Sequence, residues 1–244
     1  LPVFVGQATR AVSFAESGSK EYIAGLRLGL VTNTQDTTGE TLETRPVTAD
    51  RAALEAVLPQ FTGPIEQIPP MFSAIKRDGK KLYELARAGK EVQRDPRPVT
   101  IHALEVLEQQ SETDYLIRVR CSKGTYVRTL CHDIGEALGC GGCMSSLRRT
   151  MAAGFTLEDA VTLEEVQEQR DALLKPTDLF FRQHEAYTLS TSRQEHLCRN
   201  GNAVPARDLV EGQLYRVYSG DGTFMCLSRF EKGQLISVKN FFGG

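Results

Sequence analysis

The chain has 244 residues, of which 41% are hydrophobic and 25% are charged, and its formal net charge is -2 at pH 7. These values describe an ordinary globular protein and exclude a disordered or fibrous chain. No apolar run reaches the ~18 residues that a membrane helix needs, and the first residues do not form a signal-peptide pattern. We therefore expect a cytoplasmic protein of about two domains, since domains usually have ~100 to 200 residues.

The first part of the chain predicts a strand, a loop and a helix. Residues 22–29 predict a strand, because alternate positions carry apolar side chains and a glycine ends the run. Residues 32–40, TNTQDTTGE, have the composition of a turn or loop. Thr48 is placed to cap a helix whose apolar residues recur at helical spacing, and these are Leu54, Val57, Leu58 and Phe61.

Residues 76–97 concentrate positive charge, with eight basic and four acidic side chains in a chain of net charge -2. Two interpretations are open. Such a segment is usually a solvated helix of mixed charge, and a short helix is predicted over about residues 81–88. The alternative is a projecting arm whose lysines grip phosphates, with Lys76, Lys80 and Lys81 as the candidates.

Two further strands and a helix are predicted in the middle of the chain. Residues 99–107 and 115–121 have strand composition, and in the second strand two arginines face away from the apolar residues. A helix follows from about Val127, with an apolar stripe that ends at Gly139. Its opposite face carries Arg128 close to the start of the helix.

The last part of the chain predicts a separate small module. Thr162 and Glu165 form a capping box for one more helix. After Pro176, short strand candidates alternate with glycine turns, and they are LYRVYS, TFMCLSRF and LISVKNFF. We therefore predict a β-rich module, with the domain boundary near residue 183.

The stretch SKGTYVRTLCHDIGEALGCGGC, residues 122–143, permits three chemical interpretations. A phosphate-binding P-loop requires a lysine directly after its last glycine, and this order is absent. A metal site would use Cys140 and Cys143, but no second ligand pair completes it, so buried thiols are favoured. In the third interpretation Tyr126 and Arg128 line a pocket, where the arginine binds a carboxylate or phosphate and the tyrosine contacts a planar ligand.

Four segments together resemble a known family, and they are KEYIAGLRLG (20–29), IPPMFSAIKRDGKKLYELARAGKEV (68–92), CSKGTYVRTLCHDIGEALGCG (121–141) and SLRRT (146–150). In this order they resemble the bacterial tRNA pseudouridine synthases of the TruB type. The resemblance implies an α+β fold, with a mixed, mainly antiparallel sheet flanked by helices over residues 1–183. A small β-rich, PUA-like RNA-binding domain is implied over residues 184–244.

The resemblance also implies an activity and a partner. The family isomerises uridine 55 in the T-loop of tRNA to pseudouridine, without a cofactor or a metal. The glycosidic bond breaks, the uracil turns, and its C5 rejoins the ribose. Residues 68–98 match the thumb that presses on the RNA stem-loop, so the three lysines named above are expected to contact RNA. The implied partner is the T stem-loop of tRNA, bound by a monomer.

Individual residues match functional positions of the family. Tyr22 matches the active-site tyrosine that stacks on the target base and assists proton removal from C5. Arg128 matches the arginine that pairs with the catalytic aspartate. Asp36 matches a different position near the active site and is expected to bind the substrate. Tyr126 and Leu147 match residues that contact the flipped base.

The chain departs from the family pattern at its start. In the family the nucleophilic aspartate lies in a Gly-Thr-Leu-Asp-Pro motif directly before the residues that match Leu1-Pro2, so the printed sequence does not include it. We expect that the chain is truncated, because it begins inside an apolar element; a separate upstream chain and a binding-only protein are the alternatives. The rival functions are a non-catalytic tRNA-binding or tRNA-folding protein of the same architecture and, more distantly, a metal-dependent regulator.

Overall fold

The computed structural model describes residues 1–242 of the chain. Its strands are β1 (Lys20–Leu28), β2 (Leu30–Thr32), β3 (Thr41–Thr44), β4 (Gly63–Gln67), β5 (Lys76–Arg77), β6 (Lys80–Lys81), β7 (Arg97–Gln109), β8 (Asp114–Cys121), β9 (Gly142–Ala152), β10 (Phe155–Thr156), β11 (Glu185–Thr188), β12 (Val204–Pro205), β13 (Leu214–Tyr218), β14 (Phe224–Glu231) and β15 (Gln234–Asn240). Its α-helices are α1 (Val12–Ser17), α2 (Arg51–Val57), α3 (Leu82–Arg87), α4 (Val127–Ala137), α5 (Leu163–Gln169) and α6 (Ser192–Arg199). None of the helices in these residues has the length and apolarity needed to cross a membrane.

The larger of two compact units covers Ser17–Glu158 and is built on a six-stranded sheet. The strand order is β10-β9-β1-β8-β7-β4, and every neighbouring pair is antiparallel. Residues of β1 and β8 form the apolar core of this unit together with residues of α2 and α4. The two central strands, β1 and β8, therefore hold their side chains against a packed core.

Alternation explains why β8 is a strand and which face it buries. Tyr115, Ile117 and Val119 are fully buried, whereas Arg118 and Arg120 are exposed. Because successive strand residues point to opposite faces, one face of β8 packs in the core and the other carries charge. The predicted strand and its orientation are confirmed.

The helix predicted after Thr48 forms, but a different residue caps it. The side chain of Asp50 accepts a hydrogen bond from the backbone N–H of Ala53 at 2.9 Å, so Asp50 is the N-cap of α2. Asp50 directly precedes the first helical residue, where its carboxylate reaches the free N–H groups of the first turn. The prediction of Thr48 as the cap was wrong.

Strand β9 is the largest element that the sequence did not predict. It pairs with β1 over its whole length, from Gly142 opposite Leu28 to Ala152 opposite Lys20. Its centre, Ser-Ser-Leu-Arg-Arg-Thr, lacks the alternation of a half-buried strand. Strand β9 is stabilised by its hydrogen bonds to β1, and the local sequence pattern does not predict this pairing.

The smaller unit contains a second sheet with the strand order β11-β13-β14-β15-β12. Strands β11 and β13 are parallel, and the other pairs are antiparallel. Helix α5 begins at the predicted capping box, because Thr162 accepts from the N–H of Glu165 and the carboxylate of Glu165 accepts from the N–H of Thr162. The helix ends at Gln169, and the next residue, Arg170, adopts a positive φ of 47°.

The predicted fold class, an α+β chain with a β-rich C-terminal part, is confirmed. The only parallel strand pair of the two large sheets, among the described residues, lies in the second one. The smaller unit comprises Leu1–Glu16 together with Asp159 and the described residues that follow it. The domain boundary near residue 183 stays a prediction.

Candidate active site

Tyr22 lies on β1, on the face that packs into the core. Its side chain is 9% exposed, and its register partners are Val119 on β8 and Arg149 on β9. The guanidinium carbon of Arg149 lies 5.4 Å from the centre of the Tyr22 ring, within the range of a cation–π contact. The ring is therefore fixed by the sheet below it and by an exposed arginine beside it.

Leu147 lies on β9 opposite Ala24 of β1, two positions along the same face from Tyr22. Its side chain is 46% exposed, which is unusual for a leucine next to the core of a sheet. The register shifts between Gly25 and Leu26, where β9 carries one extra residue, Ser145, between their partners Ser146 and Met144. A Cβ on Gly25 would lie 2.2 Å from the Oγ of Ser145, so only glycine permits this close approach.

Arg128 lies in the first turn of α4, and three oxygen atoms surround its guanidinium group. Nη2 donates to the backbone carbonyl of Phe72 at 2.9 Å. Nη1 donates to Oδ2 of Asp36 at 3.1 Å and, more weakly, to the carbonyl of Thr34 at 3.5 Å. The two charged side chains are only 25% and 15% exposed, so the ion pair is well shielded from water. This pair joins two of the predicted site residues directly.

Asp36 is held by neighbours on its own loop as well as by Arg128. Its Oδ1 accepts from the hydroxyl of Thr34 at 2.8 Å and from the backbone N–H of Thr38 at 3.1 Å. Partial burial by itself would raise the pKa of Asp36, but hydrogen bonds from Thr38, Thr34 and Arg128 outweigh it. The pKa of Asp36 therefore lies below its ordinary value, and the carboxylate is ionised at neutral pH.

The loop that carries Asp36 is bound to β9 and to α4. Met144 of β9 donates its N–H to the carbonyl of Gln35 at 3.0 Å and accepts from the N–H of Thr37 at 2.9 Å. The hydroxyl of Thr129 donates to the side chain of Gln35 at 2.8 Å. Three segments far apart in sequence are thereby locked together around Asp36.

Tyr126 directly precedes α4 and is held through its backbone. Its N–H donates to Oε1 of Gln67 at 3.0 Å, and its carbonyl accepts from Nε2 of Gln67 at 3.3 Å. Gln67 is 1% exposed and ends strand β4. Sequence reasoning did not identify Gln67; its position directly before the Ile-Pro-Pro of a quoted motif was the available signal.

The three candidate lysines lie on a short hairpin formed by β5 and β6. Lys76 faces Lys81 and Arg77 faces Lys80 across the two strands β5 and β6. Lys76 and Lys80 are exposed, whereas Lys81 donates to the hydroxyl of Tyr83 at 3.1 Å. The predicted short helix after the hairpin forms as α3, whereas the hairpin itself was not predicted.

The cysteines of the stretch 122–143 are buried. Cys131, Cys140 and Cys143 are at most 3% exposed, and burial raises the pKa of the Cys143 thiol to about 11. Among the residues that the structure describes, no group of three or more His, Cys, Asp or Glu side chains could hold a metal ion. Buried thiols of this kind behave as small apolar side chains.

Comparison with known families identifies the chain over most of its length. The model of the N-terminal domain of the TruB family pseudouridylate synthases matches residues 1–127. The model of the C-terminal domain of tRNA pseudouridylate synthase B matches residues 128–180.

Curated relatives and solved structures agree with these matches. The tRNA pseudouridine synthase B of Cupriavidus metallidurans is 43% identical over 96% of this chain and 78% of that protein. The proteins of that name from Pseudomonas putida and Burkholderia lata are 45% and 48% identical, over 92% and 89% of this chain and 76% and 70% of theirs.

In fold, the chain is similar to a chain of a Cbf5-Nop10-Gar1 complex, with a TM-score of 0.68 and 23% identity over 98% of this chain and 71% of that one. A chain of an H/ACA RNP bound to a substrate RNA gives a TM-score of 0.62 at 21% identity. The predicted family and its class of enzyme, an isomerase, are confirmed by the family models and the curated relatives. The chain belongs to the TruB family of pseudouridylate synthases.

Proposed function

We propose that this protein isomerises uridine 55 in the T-loop of tRNA to pseudouridine, with the target base held among β1, β9 and the start of α4. The observation that carries the proposal is the convergence of Asp36, Arg128 and β9. Asp36 contacts Arg128, and its loop is bound to Met144 three residues before Leu147. Residues that the family resemblance singled out separately thus belong to one connected structure.

Tyr22 and Leu147 are suited to hold a flipped uracil. A base must leave its stack before an enzyme can act on it, and aromatic or apolar side chains then replace the lost stacking. Leu147 is half exposed on the same face as Tyr22, which gives the base an apolar contact next to the tyrosine. In this proposal the ring of Tyr22 contacts the uracil and its hydroxyl assists removal of the C5 proton.

Arg128 is suited to hold the nucleophilic carboxylate. Its guanidinium group has five N–H donors, and the contacts described above use only the two terminal nitrogens. Asp36 and the Phe72 carbonyl fix the plane of the group, so a further carboxylate would meet an oriented donor. That pairing would keep the nucleophile ionised, as attack on the ribose requires.

Asp36 itself is a poor candidate for the nucleophile. Its two oxygens accept hydrogen bonds from Thr34, Thr38 and Arg128, and its side chain is 15% exposed. Both oxygens are thus engaged within the protein, since three hydrogen bonds converge on Oδ1 and the guanidinium group of Arg128 faces Oδ2. We therefore assign Asp36 the role of orienting Arg128.

The basic hairpin is proposed to contact the RNA backbone. Like charges directly opposite each other on neighbouring strands destabilise a hairpin. Lys76 and Lys81, and likewise Arg77 and Lys80, are opposed in this way. Phosphates placed against the hairpin would neutralise this repulsion, which supports the thumb role of residues 68–98.

The decisive experiment uses two proteins and an unmodified tRNA transcript labelled with tritium at C5 of uridine. One protein is the 244-residue chain; the other, the extended chain, carries a segment with Gly-Thr-Leu-Asp-Pro ahead of Leu1. Tritium is released when C5 joins the ribose. We expect both proteins to bind tRNA and only the extended chain to release tritium, from position 55. Binding without release by both proteins would favour the tRNA-binding alternative.

A further inference from the structure

We propose that Gln67 is a positioning residue, which sets the first turn of α4, and with it Tyr126 and Arg128, against the base of the thumb segment (residues 68–98). The inference rests on the proposed function, because it states how the pocket of that enzyme keeps its shape. It concerns a residue outside the pocket-lining set that the family resemblance named.

The side chain of Gln67 binds the backbone of Tyr126 as a neighbouring strand would. Its carbonyl oxygen accepts from the N–H of Tyr126 at 3.0 Å, and its amide group donates to the carbonyl of Tyr126 at 3.3 Å. With 1% exposure, Gln67 has no water to replace either bond. A buried amide can satisfy a donor and an acceptor at once, which no apolar side chain of this size can do.

Tyr126 needs this partner because of its place in the chain. It is the N-cap residue of α4, and its side chain makes no capping hydrogen bond. Its carbonyl already accepts from the N–H of Leu130 at 3.1 Å, so α4 begins here. The N–H of Tyr126 lies outside the helical ladder and would otherwise be unpaired.

The segment from Gln67 to Phe72 is attached to the first turn of α4 at both ends. Gln67 holds the backbone of Tyr126, and the carbonyl of Phe72 accepts from Nη2 of Arg128 at 2.9 Å. The thumb segment begins within this stretch. Loss of the Gln67 contacts would therefore free Tyr126 and let the guanidinium group of Arg128 shift. A small displacement of a group at the reacting centre lowers the rate more than it lowers binding.

Two substitutions separate the hydrogen bonds from side-chain size. Gln67→Leu has a similar volume and makes neither bond. Gln67→Glu, when ionised, still accepts from the N–H of Tyr126 but cannot donate to its carbonyl. Because burial raises the pKa of a carboxyl group, the protonated form regains the donor at lower pH. Glu66→Gln is the matched control, since Glu66 is exposed on the same strand.

Two readouts are needed. The first is amide hydrogen exchange at Tyr126 in the 244-residue chain, where Gln67→Leu should exchange at least about tenfold faster than the wild type, since a protecting bond is lost. The second is single-turnover tritium release by the extended chain at saturating tRNA. There Gln67→Leu should be slower by about tenfold or more, with tRNA affinity within about threefold, since positioning acts mainly on the rate. Relative to the wild type, Gln67→Glu should gain turnover as the pH falls, and Glu66→Gln should match the wild type in both assays.

The outcomes separate this inference from the proposed function. An active wild-type extended chain whose rate Gln67→Leu leaves unchanged would overturn the positioning role alone. Equal losses of tRNA affinity and rate, or a Gln67→Glu variant without any pH dependence relative to the wild type, would also overturn it, since these indicate a general structural defect. A wild-type extended chain that forms no pseudouridine would overturn the proposed function and with it the catalytic importance of Gln67.

Discussion

Asp36 and Arg128 show how a single ion pair can organise this site. They are 92 residues apart in the chain, yet their charged atoms lie 3.1 Å from each other. Exposed ion pairs contribute little, but this one is shielded and shares its atoms with Thr34, Thr38 and Phe72. Removing one partner would leave the other charge partly buried without compensation, which is the costly case.

Asp36→Asn should lower the free energy of unfolding by about 1 kcal/mol at neutral pH, because Arg128 loses its ionised partner. The pKa of Asp36 is lowered in the folded protein, so its contribution is present above the unfolded value of about 3.9 and is lost as the pH falls through the lower folded value. The stability difference between wild type and variant should therefore be constant from about pH 5 to 8 and shrink below about pH 4. Thermal unfolding across this range measures it. A constant difference down to pH 3 would contradict the assignment.

At the scale of elements, the β5–β6 hairpin and α4 both carry charged side chains in positions that destabilise the folded protein. The hairpin sets four basic side chains opposite one another in two pairs. Helix α4 carries Asp133, where burial raises the pKa of the carboxyl group to about 6. Each feature carries an energetic cost in the free protein, and each cost can be measured.

The double substitution Lys76→Gln with Lys80→Gln should weaken tRNA binding and flatten its salt dependence. Each lost phosphate contact is expected to reduce the slope of log affinity against log salt by about 0.7 to 0.9. The matched control is Arg51→Gln with Arg118→Gln, which removes the same charge from exposed ion pairs with Glu55 and Glu105. Binding titrations at several salt concentrations give both slopes. If the two double variants change tRNA affinity and its salt dependence equally, the hairpin is an ordinary solvated segment and does not contact the phosphates.

Asp133→Asn should stabilise the protein at pH 7.5 by about 1 kcal/mol, since an ionised carboxylate is then no longer partly buried. With a folded pKa of about 6, the protonated side chain is favoured in the folded state. The contribution of Asp133 is therefore greatest below the unfolded value of about 3.9 and is lost as the pH rises through about 6. The gain from the substitution should shrink toward pH 4. Thermal unfolding at several pH values tests this, and a destabilised variant at pH 7.5 would refute it.

Over the whole molecule, the elements with a clear hydrophobic periodicity were predicted from the sequence. Elements that form only by pairing with a neighbouring strand were not. Strand β1 was predictable because Tyr22, Ala24, Leu26 and Leu28 alternate with residues of the other face. Strand β9 was not, since pairing with β1 forms it. The helix after Asp50 was predicted with the wrong cap, because Thr48 and Asp50 are both good capping residues and only the backbone path selects one.

Most residues of the candidate site could be predicted from the sequence, but the contacts between them could not. Arg128 was a candidate from its place at the start of α4, but Tyr22 and Leu147 were named only through the family resemblance, which supplies long-range information that local patterns lack. The contact between Asp36 and Arg128 and the two bonds from Gln67 to Tyr126 join residues that are 92 and 59 positions apart. No local periodicity encodes such pairs. The cytoplasmic location, the monomeric state and the roles of the individual site residues stay predictions.

The central claim is the proposal that uridine is isomerised at a site to which Tyr22 and Arg128 contribute. The most direct test is single-turnover tritium release from uridine 55 by the extended chain, compared between the wild type and Tyr22→Phe, with tRNA affinity measured in parallel. The substitution keeps the ring and removes only the hydroxyl group. We predict a rate at least about 100-fold lower with affinity within about threefold, as expected when a proton-transfer group is lost. A Tyr22→Phe variant that releases tritium at the wild-type rate would contradict the account.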